Sequence, residues 1–179
     1  ILIMIVITTG VVECFTQPYY FRHYQVENGL SNNTVFASIQ DKAGFLWFGT
    51  KEGLNRFDGY QFKLYKIHGD KKDWAERELI YSLYNDPAGQ LWVGTHKGLY
   101  RFDEKQDKLL PFHIELPEVN GICTDASGRL WIISGTTLYR YTPATKTLDE
   151  YPGITYFDAV ALCVDNDNNM WFAATNGAL

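Results

Sequence analysis

Cysteine is scarce here, with 3 in 179 residues. That excludes a disulfide-dense miniature scaffold, which uses several bridges for want of a core. Charge of one sign is lacking as well. The 16 Lys and Arg are mixed along the chain with 21 Asp and Glu, for a net charge of −5 and a pI near 5.3. Without a basic patch, nucleic acid is not an expected partner of this stretch. Without a run of like charge, no disordered tail is expected. No Gly-x-Ser-x-Gly, His-Glu-x-x-His, phosphate-binding loop or dinucleotide fingerprint occurs. His23, His68, His96 and His113 have no metal-ligand spacing. The chain is therefore expected to carry no catalytic residue, metal or cofactor.

Long apolar runs are also missing. Residues 1–12 (ILIMIVITTGVV) are uncharged, but too short for the about 20 residues that span a bilayer. They have the length of a signal-peptide apolar region, so residues 1–16 are expected to be a secretion signal whose basic start is missing, with cleavage before Gln17. Glu13 in front of Cys14 argues against lipidation. Cys123 and Cys163 occupy equivalent places in neighbouring repeats and are expected to be two small buried thiols.

What is present is repetition. Asp41, Asp86, Asp125 and Asp165 each open one copy of Asp-x-x-Gly-x-Leu-Trp-x-Gly-Thr-x-x-Gly-Leu-x-Arg-Phe-Asp. The matching Trp47, Trp92, Trp131 and Trp171 are 45, 39 and 40 residues apart. That period suits a four-stranded propeller blade or a pair of helices. Gly or Pro every dozen residues leaves no room for helices, and the intervening segments are aromatic and β-branched. The first repeat reads as strands over 34–39, 45–50, 54–57 and 61–66, with turns at Asp41–Gly44, Lys51–Gly53 and Asp58–Tyr60. Its second strand is apolar on both faces, as a sheet sandwiched between two others requires. Gly49 and Gly94 would let the next blade come close.

The expected fold is all-β: a β-propeller fragment of four-stranded antiparallel blades. Residues 17–179 would form about three and a half blades over 31–66, 79–114, 119–151 and 158–179. Residues 18–24 would add an N-terminal outer strand, and further blades would follow Leu179. An open stack of this kind is expected to be poorly soluble alone. The third repeat is read with Ser134-Gly135 in the Gly-Thr place and Thr142 for the last Asp. The fourth has Asn168 and Ala173-Ala174 where Gly and Gly-Thr would stand.

The repeat resembles the regulator-propeller repeat of hybrid two-component systems of Bacteroidetes. The opening Phe21-Arg22-His23-Tyr24-Gln25-Val26-Glu27-Asn28-Gly29-Leu30-Ser31-Asn32-Asn33-Thr34-Val35 is similar to the start of such sensors. The resemblance implies a periplasmic sensor region, with remaining blades, a β-sandwich, a membrane span and a histidine kinase beyond this chain. It also implies oligosaccharide ligands, a homodimer of the full-length protein and control of glycan-use genes. A secreted carbohydrate-active propeller enzyme and a protein-binding propeller scaffold are the competing readings. An enzyme would need a carboxylate pair or a Tyr nucleophile at the ring centre.

Identical positions in every repeat point to structure. Trp47, Trp92, Trp131 and Trp171 are expected in the core. Arg56, Arg101 and Arg140 are expected to pair with the turn aspartates. Departures point to function. The first connection between repeats is longer than the others, and carries His68, Lys72, Trp74 and Arg77. A Trp among charges can stack on a sugar ring, so these four are the candidate ligand contacts. Asp165-Asn166-Asp167-Asn168-Asn169 looks like the start of a calcium loop, but Met170 takes the sixth place, where such a loop has Gly.

Overall fold

A computed structural model describes residues 20–67, 78–113, 115–155, 159–174 and 177–178. The described chain folds into four antiparallel sheets in sequence order. The first holds β1 (Val35–Gln40), β2 (Leu46–Thr50), β3 (Gly53–Phe57) and β4 (Phe62–Tyr65). The second holds β5 (Ile80–Asn85), β6 (Leu91–Thr95), β7 (Gly98–Asp103) and β8 (Lys108–His113). The third holds β9 (Val119–Thr124), β10 (Leu130–Ser134), β11 (Thr137–Thr142) and β12 (Thr147–Thr155). The fourth holds β13 (Ala159–Val164), β14 (Met170–Ala174) and β15 (Gly177–Ala178).

Within every sheet, each strand pairs with the next in the chain. First strands touch first strands: β1 contacts β5, β5 contacts β9, and β9 contacts β13. These inner strands therefore surround a common axis, and each sheet lies face to face with its neighbours, as propeller blades do.

The core consists of three layers, one between each pair of sheets. Trp47, Leu54 and Tyr65 meet Ile80, Leu91, Val93 and Phe102 in the first. Trp92 and Leu99 meet Val119, Ile122 and Leu130 in the second. Cys123, Trp131 and Leu138 meet Phe172 in the third. A buried indole removes roughly 200 Å² from water, worth about 5 kcal/mol before ordering costs. No blade has that gain without its neighbour.

The close approach runs through one position of the second strand. A Cβ on Gly49 would lie 2.7 Å from Ile80 Cγ2 of the next sheet. One on Gly94 would lie 2.5 Å from the Val119 carbonyl. In the third repeat the structure corrects the sequence register: Ile133 and Ser134, not Ser134 and Gly135, take the Gly-Thr place. Ile133 fits because its partner across the ladder is Gly121. A Cβ there would lie 2.8 Å from Leu162 of the fourth sheet. The small residue has moved from the second strand to the first.

Several expectations are revised. Residues 20–24 form no strand. Among the described residues no ladder partner lies beside them, and Tyr24 instead packs edge-on against Phe57 and Phe62 of the first sheet. A short 3₁₀ turn (Val26–Asn28) follows, closed by Gly29 at φ 101°. Trp47, Trp92 and Trp131 are buried, but Trp171 is 53% exposed. Cys123 is buried and Cys163 is exposed. Cys163 pairs with Trp171 across the ladder, so both project from the face of the fourth sheet that no described sheet covers. The signal-peptide reading of residues 1–16 lies outside the described residues.

Candidate functional site

The propeller has two rims, and the repeat residues build one of them. Each repeat Asp closes the turn between the first and second strands. Asp41 Oδ1 accepts the Ala43 and Phe45 backbone N–H groups, both at 2.9 Å. Its second oxygen accepts the Trp47 indole N–H at 2.6 Å. The same bond joins Trp92 to Asp86 at 3.0 Å, Trp131 to Asp125 at 2.9 Å and Trp171 to Asp165 at 2.8 Å. One carboxylate thus fixes both the turn and the indole rotamer, which explains why Asp and Trp recur six residues apart. Burial pushes the Asp125 carboxyl up, but hydrogen bonds from Trp131 and Arg129 outweigh it and hold it below the usual range. Asp165 is held low first by the Trp171 indole. Both oxygens of Asp165 are engaged by Asp167, Asn169 and Trp171. Among the described residues no cluster suited to a metal ion occurs.

Arg56 and Arg140 do not pair with those aspartates. Arg56 lies over the rings of Phe45, Trp47 and Tyr65, at 4.8, 5.7 and 5.6 Å. Its ionic partner is Asp107 of the next sheet, at 3.7 Å. Asp107 is bound more closely by Lys63 and by the Tyr65 hydroxyl, the latter at 2.7 Å. Those hydrogen bonds, led by Lys63, hold its carboxyl low. Arg140 reaches Asp149 in its own sheet at 3.7 Å and lies over Trp131. The side chains stack on the aromatic layer, because a guanidinium keeps its charge while covering a ring.

On this rim a cleft of about 660 Å³ opens between the first and second sheets, lined by Phe45, Trp47, Arg56, Phe102 and Glu104 among others. The corresponding cleft between the third and fourth sheets has about 300 Å³. There Arg129 stands where the first repeat has Phe45, and folds back onto Asp125 at 2.6 Å.

The opposite rim carries the starts of the inner strands, and there the sheets share a distortion. In each inner strand one residue bulges out of the ladder: Phe36 in β1, Tyr81 in β5, Asn120 in β9 and Val160 in β13. Each precedes its repeat Asp by five residues. A bulge leaves its extra residue unpaired and re-aims it, which is why bulges gather next to binding sites. The flanking Ile80 and Ser82, and Val119 and Gly121, are buried, whereas Tyr81 and Asn120 are half-buried and Phe36 is 45% exposed. Phe36 and Tyr81, from adjacent sheets, bring their rings to 5.6 Å with a 58° tilt. The Tyr81 hydroxyl donates to Glu118 of the third sheet. Burial first, and then Glu118, push that phenol up, so it stays protonated. A protonated phenol is a hydrogen-bonding group rather than a nucleophile. The rim thus offers an aromatic surface, a carboxylate and an amide, which suit binding.

His68, Lys72, Trp74 and Arg77, the contacts expected from sequence, lie between β4 and β5 and outside the described residues. Sequence reasoning missed Phe36, Tyr81, Glu118 and Asn120. For Phe36, Tyr81 and Asn120 the signal is the fixed distance of five residues to the repeat Asp; Glu118 has no such signal. The Trp–Asp bond was missed too, though the constant spacing contained it.

Parts of the chain and its blades are similar to known proteins. Residues 29–52 and 77–97 match the family model described as "Two component regulator propeller". Histidine kinase P4 of Formosa agariphila is 46% identical over 48 residues, which is 27% of this chain and 4% of that protein. The extracellular domain assigned to the hybrid two component system BT3049 of Bacteroides thetaiotaomicron is 25% identical, with a TM-score of 0.70 over 88% of this chain and 24% of that one. The corresponding domain of BT4673 is 21% identical, with a TM-score of 0.70 over 87% of this chain and 22% of that one. The chain therefore spans less than a quarter of the length of these proteins. Two stretches of the chain thus match the two-component regulator propeller model, and its blades are similar to those of extracellular domains of hybrid two component systems.

Proposed function

We propose that the chain is the extracytoplasmic sensing propeller of a hybrid two-component regulator, and that it binds oligosaccharides and passes the signal to a histidine kinase. The observation that carries the reading is the match to the regulator-propeller model, found in blades similar to those of the extracellular domains of Bacteroides hybrid two component systems. The blades supply a rigid frame, and the inner-strand rim supplies the polar and aromatic groups. A ligand that binds one arrangement of the blades better than another shifts the population between them, and that difference is the signal. Periplasmic location, a homodimer and control of glycan-use genes belong to the same proposal.

The test is kinase autophosphorylation by the full-length protein in lipid nanodiscs, with partial digests of plant and algal polysaccharides added outside. A digest that changes the phosphorylation rate supports the reading. No response to any digest, with a kinase that is active on its own, refutes it.

A further inference from the structure

The bulges of the first three sheets fall at one level of the propeller, and the residues they re-aim differ from blade to blade. The ladder partners around them differ little: Val35, Ile80 and Val119 face Thr50, Thr95 and Ser134 in these three sheets. The frame is thus repeated while the presented groups are an aromatic ring, a phenol and an amide.

The ring pair has a definite shape. At 5.6 Å between centroids and a tilt of 58°, no single flat ring can stack on both. A ligand that stacks on both must offer a separate ring to each. An extended β-linked pyranose chain offers successive rings of that kind, each with an apolar C–H face. Hydroxyls at the edge of such a chain would meet the Glu118 carboxylate, which accepts, and the Asn120 amide, which donates and accepts. Glu118 is exposed and already accepts from Tyr81. Its negative charge disfavours a sugar acid at the same place.

From this arrangement we infer that Phe36, Tyr81, Glu118 and Asn120 form a saccharide subsite for a neutral β-linked chain of at least two sugars. It lies at the inner-strand rim and bridges the first three sheets. The inference rests on the sensor reading above, and names the residues and ligand class that serve it. Because the subsite is made by three sheets, binding there registers their relative positions directly.

The experiment is calorimetric titration of the full-length protein in nanodiscs with cellotetraose, xylotetraose and β-1,4-mannotetraose, and with glucose, xylose and mannose as monomers. At least one tetrasaccharide is expected to bind, and its monomer to bind at least about tenfold more weakly. Phe36→Ala and Tyr81→Ala are each expected to weaken that binding about tenfold, and Tyr81→Phe about twofold, since it keeps the ring. Phe36→Leu, which keeps apolar volume without a flat face, should behave like Phe36→Ala. Unchanged circular dichroism and melting of each variant separates lost binding from lost fold. Binding by none of the three tetrasaccharides, or binding indifferent to both alanine variants, overturns the subsite. The kinase assay distinguishes the two failures. A digest response that survives Phe36→Ala and Tyr81→Ala sinks the subsite and leaves the sensor. An unresponsive wild-type kinase that still binds a tetrasaccharide through these residues sinks the sensor and leaves the subsite.

Discussion

Gly94 is the position where the packing argument is most exposed to test. A Cβ there would sit 2.1 Å from Ser82 Oγ, 2.5 Å from the Val119 carbonyl oxygen and 2.8 Å from Val119 Cγ1. Two of those atoms belong to the next sheet, and one is backbone, so a rotamer change cannot relieve the clash. Gly94→Ala must push the third sheet away. It must also displace Ser82 Oγ from its 3.0 Å hydrogen bond to the Val119 carbonyl. Overpacking a close-packed interior costs roughly 1–3 kcal/mol, and the lost hydrogen bond costs about 1 kcal/mol more. A loss of about 3 kcal/mol is expected. Gly128→Ala is the control: its Cβ would meet nothing within 4 Å, but its φ of +74° is left-handed, which costs about 1–2 kcal/mol.

Guanidinium denaturation followed by tryptophan fluorescence reads both, since Trp92 and Trp131 border the affected layers. The third sheet suggests a repair, because there Ile133 is tolerated opposite Gly121. Adding Ser82→Gly to Gly94→Ala removes the nearest clash and should recover about 1 kcal/mol relative to the sum of the single changes. If Gly94→Ala costs no more than Gly128→Ala, the blades are not in the tight contact claimed and the reasoning fails.

Asp86→Asn replaces an acceptor with an amide that sets a donor against the Trp92 indole N–H, held at 3.0 Å; a loss of about 1–3 kcal/mol in urea denaturation is expected, with a weakened near-ultraviolet signal. Asp125 and Asp165 are both held below their ordinary pKa in the fold. Their contribution is therefore complete above about pH 4, where the unfolded carboxyls have also ionised, and is lost as pH falls through the lower folded values. Denaturation midpoints should stay flat from pH 5 to 7 on this account and fall steeply below pH 4. Burial, then the charges of Cys163 and Asp125, push the Cys123 thiol up to about 12; it should resist thiol reagents at pH 8 until the protein is denatured, as peptide mass mapping would show.

The fold was legible because its signals are local and repeated. Every Asp-x-x-Gly turn is closed by side-chain oxygen and left-handed backbone acting within five residues, so the sequence contains the whole cause. Gly44, Gly89 and Gly128 all take positive φ there. Asn168, which replaces the glycine in the fourth repeat, takes φ 63° as Asn can. Counting from Asp125 places Ile133 and Ser134 where Gly49 and Thr50 stand after Asp41; what the motif does not show is why a large residue fits there. Ile133 is acceptable only once Gly121, twelve residues upstream, is known to lie opposite. The partner of Arg56 was hidden for the same reason. Asp107 belongs to another blade, and equivalent turn positions hold residues as different as Asp107 and Lys146, both left-handed at φ 50° and 57°.

The candidate site was harder still, since a bulge is an event between strands. Phe36 and Tyr81 read as ordinary members of apolar strands until the ladder is seen to skip them. Yet the two kinds of residue follow one rule. Where all blades agree, as at Asp and Trp, the side chains face each other and hold the stack. Where blades share a backbone distortion but not a side chain, the conserved part is the frame and the variable part is what it presents. Phe36, Tyr81 and Asn120 have that character, and Asp41, Asp86 and Asp125 have the opposite one. A propeller that senses something has to differ from blade to blade at the place of contact, because a ligand does not share the symmetry of the ring.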